Sequence, residues 1–250
     1  MKVYADSHIG CVRTENQDAY RICTVGDGML AVVCDGMGGA AGGKTASTVC
    51  ADEFSRRFAE SYATLIGDAT EILPFDVHRV YSQAVYHANL SVFHRAVTTP
   101  ALHGMGTTLA AAFVTGDALF CANIGDSRVY LVREGHATRV THDDTCVQAL
   151  VDEGEITEEE ARVHRDKHIL TAALGTAPYM DFQFVTEELR PADVLLLCSD
   201  GLTDYYTDEE IGTAVSAVHG DLQAAADRFI MGACARGGKD NITVALLCVP

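Results

Sequence analysis

The sequence predicts an α+β sandwich in which antiparallel sheets are covered by antiparallel helix pairs. Three observations lead there. Short β-rich runs follow one another through Gly-containing turns. Apolar stripes of helical period arrive in pairs. The steady βαβα alternation of a parallel sheet is missing.

The chain opens on β-rich runs at residues 3–7, 19–24 and 30–34, separated by polar or Gly-containing turns. Ala46, Val49, Cys50, Phe54, Phe58 and Tyr62 then recur at three- and four-residue spacing, which predicts a helix. Val77, Val80, Tyr81, Ala84, Ala88 and Val92 repeat that pattern after Pro74, a helix-starting residue. Each helix has one apolar stripe, so each covers one face of a neighbour. Strands return at 107–114, 118–124 and 128–132, and the joints Thr115-Gly116-Asp117 and Gly125-Asp126-Ser127 read as hairpin turns. A charged helical stretch is expected over 144–165, then a strand at 194–198, helices at about 208–219 and 222–235, and a last strand at 242–248.

Composition narrows the classes. The 250 residues are 48% hydrophobic and 21% charged, which excludes a disordered or collagen-like chain and allows one large domain or two small ones. No apolar run approaches the roughly 18–20 residues of a membrane span. The first ten residues show no basic segment followed by an apolar one, so a cytoplasmic protein is expected. Lys and Arg number 18 against 35 Asp and Glu, a net charge of −17 that repels nucleic acid and anionic membranes. Nine cysteines, none in C-x-x-C spacing, argue against a zinc ribbon or a thioredoxin-type motif. They are expected to be small core residues in a reducing compartment.

Two segments share one design, an apolar strand ending in Asp-Gly: residues 30–36, ending at Asp35-Gly36, and residues 194–201, ending at Asp200-Gly201. Such a strand holds a carboxylate rigidly at a sheet rim, and the Gly is expected to let the backbone turn sharply, so that its carbonyl can face a ligand. Asp126 sits in the turn before Arg128, and Asp240 precedes the last strand. Four such acids form a hard oxygen set suited to magnesium or manganese. Arg13 can hold a phosphate bidentately. A competing motif is Gly38-Gly39-Ala40-Ala41-Gly42-Gly43-Lys44-Thr45, which fits the phosphate-cradling G-x-x-x-x-G-K-[ST] pattern of nucleotide triphosphatases. Against it, the strand is expected to stop at Asp35, a parallel βαβ core is missing, and Asp126, Asp240 and Arg13 are left without a role.

Seven stretches in order resemble the metal-dependent protein serine/threonine phosphatases, the PPM or type 2C family, and their bacterial branch in particular. They are Gly10-x-Val12-Arg13-x-x-Asn16-Gln17-Asp18, Asp35-Gly36-Met37-Gly38-Gly39, Gly104-Met105-Gly106-Thr107-Thr108, Gly125-Asp126-Ser127-Arg128, Ala173-Leu174-Gly175, Ser199-Asp200-Gly201-Leu202 and Asp240-Asn241-Ile242-Thr243-Val244. The resemblance implies a four-layer α/β/β/α sandwich of two antiparallel sheets flanked by helix pairs. It implies a single catalytic domain over 1–250 with a mobile flap at about 142–177. It also implies hydrolysis of phosphoserine and phosphothreonine by direct attack of a dimetal-activated water. By motif position Asp35 would bridge two manganese or magnesium ions, the Gly36 carbonyl would bind one, and Asp200 and Asp240 the other. Asp126 matches the ligand of a weaker third ion, Asp18 would act through metal-bound water, and Arg13 matches the phosphate-binding Arg.

Some positions depart from the family pattern. Met37 stands where animal members have a proton-donating His, so water or another group must be the acid. Gln17 replaces a Glu that supports a metal in some members. In the flap, His164-Arg165-Asp166-Lys167-His168 replaces a His-Pro-x-Arg-Asn run. The expected partners are phosphorylated proteins and a cognate serine/threonine kinase, with no nucleic acid or membrane, and the chain is expected to be a monomer. Two other readings stay open: a pseudophosphatase binding module, which metal titration separates, and the triphosphatase, which nucleotide binding separates.

Overall fold

The structure, a computed structural model, describes residues 1–68 and 72–250, with backbone alone at 40 and 41. Two antiparallel sheets form its centre. The first has the order β1 (Lys2–His8), β11 (Ile242–Cys248), β10 (Val194–Cys198), β7 (Arg128–Arg133), β8 (His136–Arg139). The second has the order β2 (Asp18–Val25), β3 (Gly28–Met37), β5 (Leu109–Thr115), β6 (Ala118–Ile124), β9 (Gln183–Glu188), with the short β4 (Gly106–Thr107) beside β3.

Side-chain alternation along the strands builds the layers. On β3, Leu30, Val32 and Cys34 pack under α1 (Gly39–Asp68) and α2 (Pro74–Thr98), while Ala31 and Val33 face the other sheet. On β10, Leu196 and Cys198 pack under α6 (Asp208–Ser216) and α7 (Leu222–Ala235), while Leu195 and Leu197 face inward. Three apolar interfaces separate four layers, the α/β/β/α sandwich expected. The helical stripes are buried as read apart from the half-buried Val49: Phe58 and Tyr81 meet edge-on at 4.9 Å between α1 and α2, and the Tyr81 hydroxyl donates to the Phe120 carbonyl at 2.7 Å.

Several elements differ from the sequence reading. The joint Gly125-Asp126-Ser127 is not a hairpin turn: β6 and β7 lie in different sheets, so Asp126 rides a crossover between them. Strand β3 continues through Asp35 and Gly36 to Met37, because β2 pairs Asp18 with Asp35 and β4 pairs Thr107 with Gly36. Helix α1 starts at Gly39, ahead of the apolar stripe that begins at Ala46. The charged stretch is two short helices, α3 (Cys146–Asp152) and α4 (Glu158–Val163), each capped by a Thr hydroxyl. β8, β9 and the one-turn α5 (Asp200–Thr203) were not foreseen. Of the nine cysteines, Cys34, Cys50, Cys121 and Cys198 are buried, whereas Cys11 is exposed and the others are half-buried.

Candidate metal and phosphate centre

Topology alone gathers the acids. The end of β3, the start of β2, the crossover after β6, the end of β10 and the start of β11 all lie at one end of the sandwich. There an open cleft of about 900 Å³ is lined by Arg13, Asp35, Gly36, Asp126, Asp200 and Asp240. Every residue singled out from the sequence as a ligand or phosphate holder meets here. Asp18 stands behind Asp35 and is buried.

The main chain of Asp35 is fixed from both sides. Its N–H donates to Thr108 Oγ1 at 2.8 Å, and its carbonyl accepts from Thr107 Oγ1 at 2.8 Å and from the Thr108 N–H at 2.9 Å. Thr108 Oγ1 also pairs with Ser127 Oγ at 2.7 Å, which ties Asp35 to the Asp126 crossover. Asn241 anchors the loop that carries Arg13. Its side-chain amide donates to the carbonyls of Ile9 and Glu15, and its Oδ1 accepts the Gln17 N–H. The Gln17 amide in turn donates to the Gly39 carbonyl at 2.8 Å, a bond that a carboxylate there could not make.

The glycines after the acids act by close approach rather than by turning. A Cβ on Gly36 would stand 2.0 Å from the Gly43 carbonyl oxygen, and one on Gly201 would stand 1.9 Å from that of Asn241. Neither residue has positive φ. Gly43, the second glycine of the nucleotide-binding pattern, therefore lies inside α1 against β3 rather than in a phosphate loop. The Lys44 ammonium points to the Asn16 carbonyl at 3.3 Å. The triphosphatase reading loses its loop.

The electrostatics call for cations. Burial, then the charges of Asp18, Asp200, Asp126 and Asp240, push the Asp35 carboxyl well above its ordinary range. Burial, then Asp200 and Asp143, raise Asp126 against the pull of Arg128. Burial pushes Asp18 up to about 7, although Thr243 and Ser199 donate to its Oδ2 at 2.6 and 2.8 Å and so favour the charged form. Asp18 Oδ1 and Asp200 Oδ1 are buried without a hydrogen-bond partner. Unpartnered hard oxygens and repelling carboxylates fit divalent cations. Among the described residues no group of three or more His, Cys, Asp and Glu side chains is placed to hold a metal ion by itself. Magnesium keeps several waters and is held by one or two carboxylates, so an open cleft lined by acids can take it.

Three neighbours were not picked out from the sequence. His168 Nδ1 lies 3.2 Å from Asp200 Oδ2, and the Lys167 ammonium lies 2.7 Å from Asp204 Oδ1. The hydrogen bond to Asp200 raises the His168 imidazole against its burial, and Asp204 adds to it. The signal was present: Asp204 follows Asp200 by one helical turn, and Lys167 and His168 belong to the run that departs from the resemblance. That segment is rooted beside the site, since Asp144 Oδ2 accepts the Gly125 N–H at 2.9 Å and Arg128 grips Asp143 at 2.6 Å.

Comparisons with known proteins point to one family. The protein phosphatase 2C family profile matches residues 6–230. The serine/threonine protein phosphatase PstP of Mycobacterium tuberculosis is 37% identical over 246 residues, 98% of this chain but 44% of that protein. The chain thus spans about half the length of that relative. A putative protein phosphatase 2C-type of Streptococcus pyogenes is 34% identical over 99% of this chain and 97% of its own. A crystal structure of the PstP catalytic domain with two manganese ions superposes with a TM-score of 0.81 at 35% identity, covering 100% of this chain and 98% of that one.

Proposed function

This chain belongs to the protein phosphatase 2C family, and from that premise we propose that it is a metal-dependent protein serine/threonine phosphatase, a phosphoric monoester hydrolase. The observation that carries the reading is the meeting of Asp35, Asp200, Asp240 and Arg13 in one cleft from four separate parts of the chain.

In this reading Asp35, the Gly36 carbonyl, Asp200 and Asp240 hold two manganese or magnesium ions, and Asp126 helps hold a weaker third. Bound there, the ions supply an acidified water and charge to offset that of the phosphoryl group. The chain supplies the rest. Thr107, Thr108 and Ser127 keep Asp35 in place. Arg13 leaves Asp240 to take two phosphoryl oxygens, holding the group in line with attack and offsetting its charge. Asp18, gripped by Ser199 and Thr243, orients water beside Asp35. No Cys or Ser nucleophile is required, so no phosphoenzyme forms. Met37 has no proton to give, and the leaving group takes its proton from solvent or another group.

The reading extends to a single catalytic domain over residues 1–250 with a flap at 142–177. It takes the protein to be a cytoplasmic monomer acting on phosphorylated proteins and a cognate serine/threonine kinase. Among the described residues no helix is long and apolar enough to cross a membrane. The test is phosphate release from a phosphothreonine peptide with manganese, then with chelator. Turnover is expected with the metal and none without it. Undiminished turnover in excess EDTA would falsify the reading.

A further inference from the structure

Outside the carboxylate cleft, two cysteines from distant parts of the chain meet at the surface. Cys11 Sγ lies 3.7 Å from the Cys234 carbonyl oxygen. Burial, and then contact with the Cys11 thiol, push the Cys234 thiol up. Gly238 lies between them with φ +50, where a Cβ would stand 2.9 Å from Cys11 Sγ and 3.1 Å from Cys234 Cα. The missing side chain is what lets the sulfur reach the Cys234 main chain. His8 completes the cluster. Its Nδ1 accepts the Gly10 N–H at 3.0 Å, which marks that nitrogen as the unprotonated one, and Cys234 Sγ lies 3.5 Å from the same atom. Cys234 Sγ therefore lies within reach of a basic nitrogen, which it shares with the Gly10 N–H. Cys11 and His8 are exposed, unlike the buried Cys34, Cys50, Cys121 and Cys198.

The pair sits where it can act on the site. The Cys11 N–H donates to the Gly238 carbonyl at 2.7 Å. Two residues beyond Cys11 is Arg13, two beyond Gly238 is Asp240, and these two close the same pair of segments through a 2.6 Å ion pair. We propose that Cys11 and Cys234 form an oxidisable thiol pair that takes hydroperoxides, and that their disulfide restrains Arg13 on Asp240, away from phosphate.

The chemistry balances. The Cys11 thiol, its proton lost to solvent, attacks the outer oxygen of a hydroperoxide. The O–O bond breaks, an alcohol or water leaves, and Cys11 becomes a sulfenic acid. Cys234 sulfur attacks that sulfur as its proton passes to His8 Nδ1, the S–O bond breaks, and hydroxide leaves as water with that proton. Two thiols are oxidised to one disulfide and one peroxide is reduced. In a reducing compartment such a disulfide is transient, as redox-sensing ones are.

The effect on Arg13 rests on the phosphatase reading, whereas the crosslink does not. The full chain, treated with hydrogen peroxide, is mapped by unreduced peptide mass spectrometry and assayed on a phosphothreonine peptide with manganese. The expected result is a dominant Cys11–Cys234 crosslink reversed by dithiothreitol and slower amide exchange over residues 9–17. KM should rise roughly tenfold, the loss of about one charge-assisted contact, with kcat held. Cys234→Ser should keep the untreated activity, carry peroxide oxidation on Cys11 alone and show no KM change. Wild-type Cys11 oxidised without a crosslink overturns the site. A crosslink that changes neither amide exchange nor KM overturns the restraint. Absence of manganese-dependent turnover before treatment defeats the phosphatase reading, and the map and the exchange still decide the pair.

Discussion

Arg13 Nη2 donates to Asp240 Oδ2 at 2.6 Å, so the side chain assigned to phosphate rests on a carboxylate assigned to metal. The Arg13 side chain is 51% exposed, and an exposed ion pair adds little stability. Arg13→Ala should therefore leave Tm nearly unchanged. It should raise KM for a phosphothreonine peptide roughly tenfold to a hundredfold, the cost of a lost charge-assisted bidentate contact of about 1.5–3 kcal/mol. Wild-type kcat/KM in the variant would make Arg13 an ordinary surface residue.

The acids should separate by position. Asp35, Asp200 and Asp240 come from the pairing of β3 and from the adjacent ends of β10 and β11, whereas Asp126 rides the crossover between sheets. Asp35→Asn, Asp200→Asn and Asp240→Asn should each nearly abolish turnover and lower manganese stoichiometry by calorimetry, with the circular dichroism unchanged. Asp126→Asn should keep the two core ions and weaken a third. If that variant keeps both wild-type stoichiometry and wild-type rate, Asp126 has no metal role.

The strands, the two long helices and the acids were legible because each has a local signature: period-two or helical apolar spacing, and an Asp after a buried run. What was not legible is non-local. Nothing around Gly125-Asp126-Ser127 says that β7 joins β10 rather than β6. The Asp-Gly glycines looked like turns because the backbone they approach, at Gly43 and Asn241, lies far along the chain. The support given to Asp18 by Ser199 and Thr243 needs the two sheets face to face, and that given to Asp35 by Thr108 needs β3 to lie between β2 and the β4–β5 segment. Short elements such as β8 and α5 carry too few residues for a pattern.

Away from the site, Asp193 should govern acid stability. It is buried, and Arg133 donates to its Oδ1 at 2.9 Å and its Oδ2 at 2.6 Å, with the Arg190 N–H adding a bond at 2.7 Å. Burial alone would raise this carboxyl, but the bonds from Arg133 and Arg190 outweigh it and hold the folded value below the ordinary one. A depressed folded value means that the unfolded state takes up a proton first as pH falls. The stabilisation is thus fully present above the unfolded value of about 3.9 and is lost as pH drops through the folded one. Asp193→Asn should cost about 1–3 kcal/mol at neutral pH by urea titration, with the gap from wild type closing below about pH 4. A gap that stays constant into acid would assign the loss to packing.

The last prediction sets two adjacent residues of the glycine-rich run against each other. In a nucleotide-binding loop the lysine contacts phosphates and its loss destroys function, while the chain is otherwise open to a ligand. Here Gly43 lies within α1, and a Cβ on it would stand 2.5 Å from the Gly36 carbonyl oxygen and 2.8 Å from Gln17 Cδ. The Gly36 backbone cannot yield cheaply, because it follows Asp35 on a strand paired by β4. Gly43→Ala should therefore cost about 1–3 kcal/mol or more by overpacking and displace the Gly36 carbonyl, with loss of manganese-dependent turnover. Lys44 is exposed, and its ammonium donates a long bond, at 3.3 Å, to the Asn16 carbonyl. Lys44→Ala should keep most activity and shift stability by no more than about 1 kcal/mol, and ATP without metal should bind to neither variant. The reverse pattern, an inert Gly43→Ala and a dead Lys44→Ala with saturable ATP binding to wild type, would return the chain to the triphosphatases.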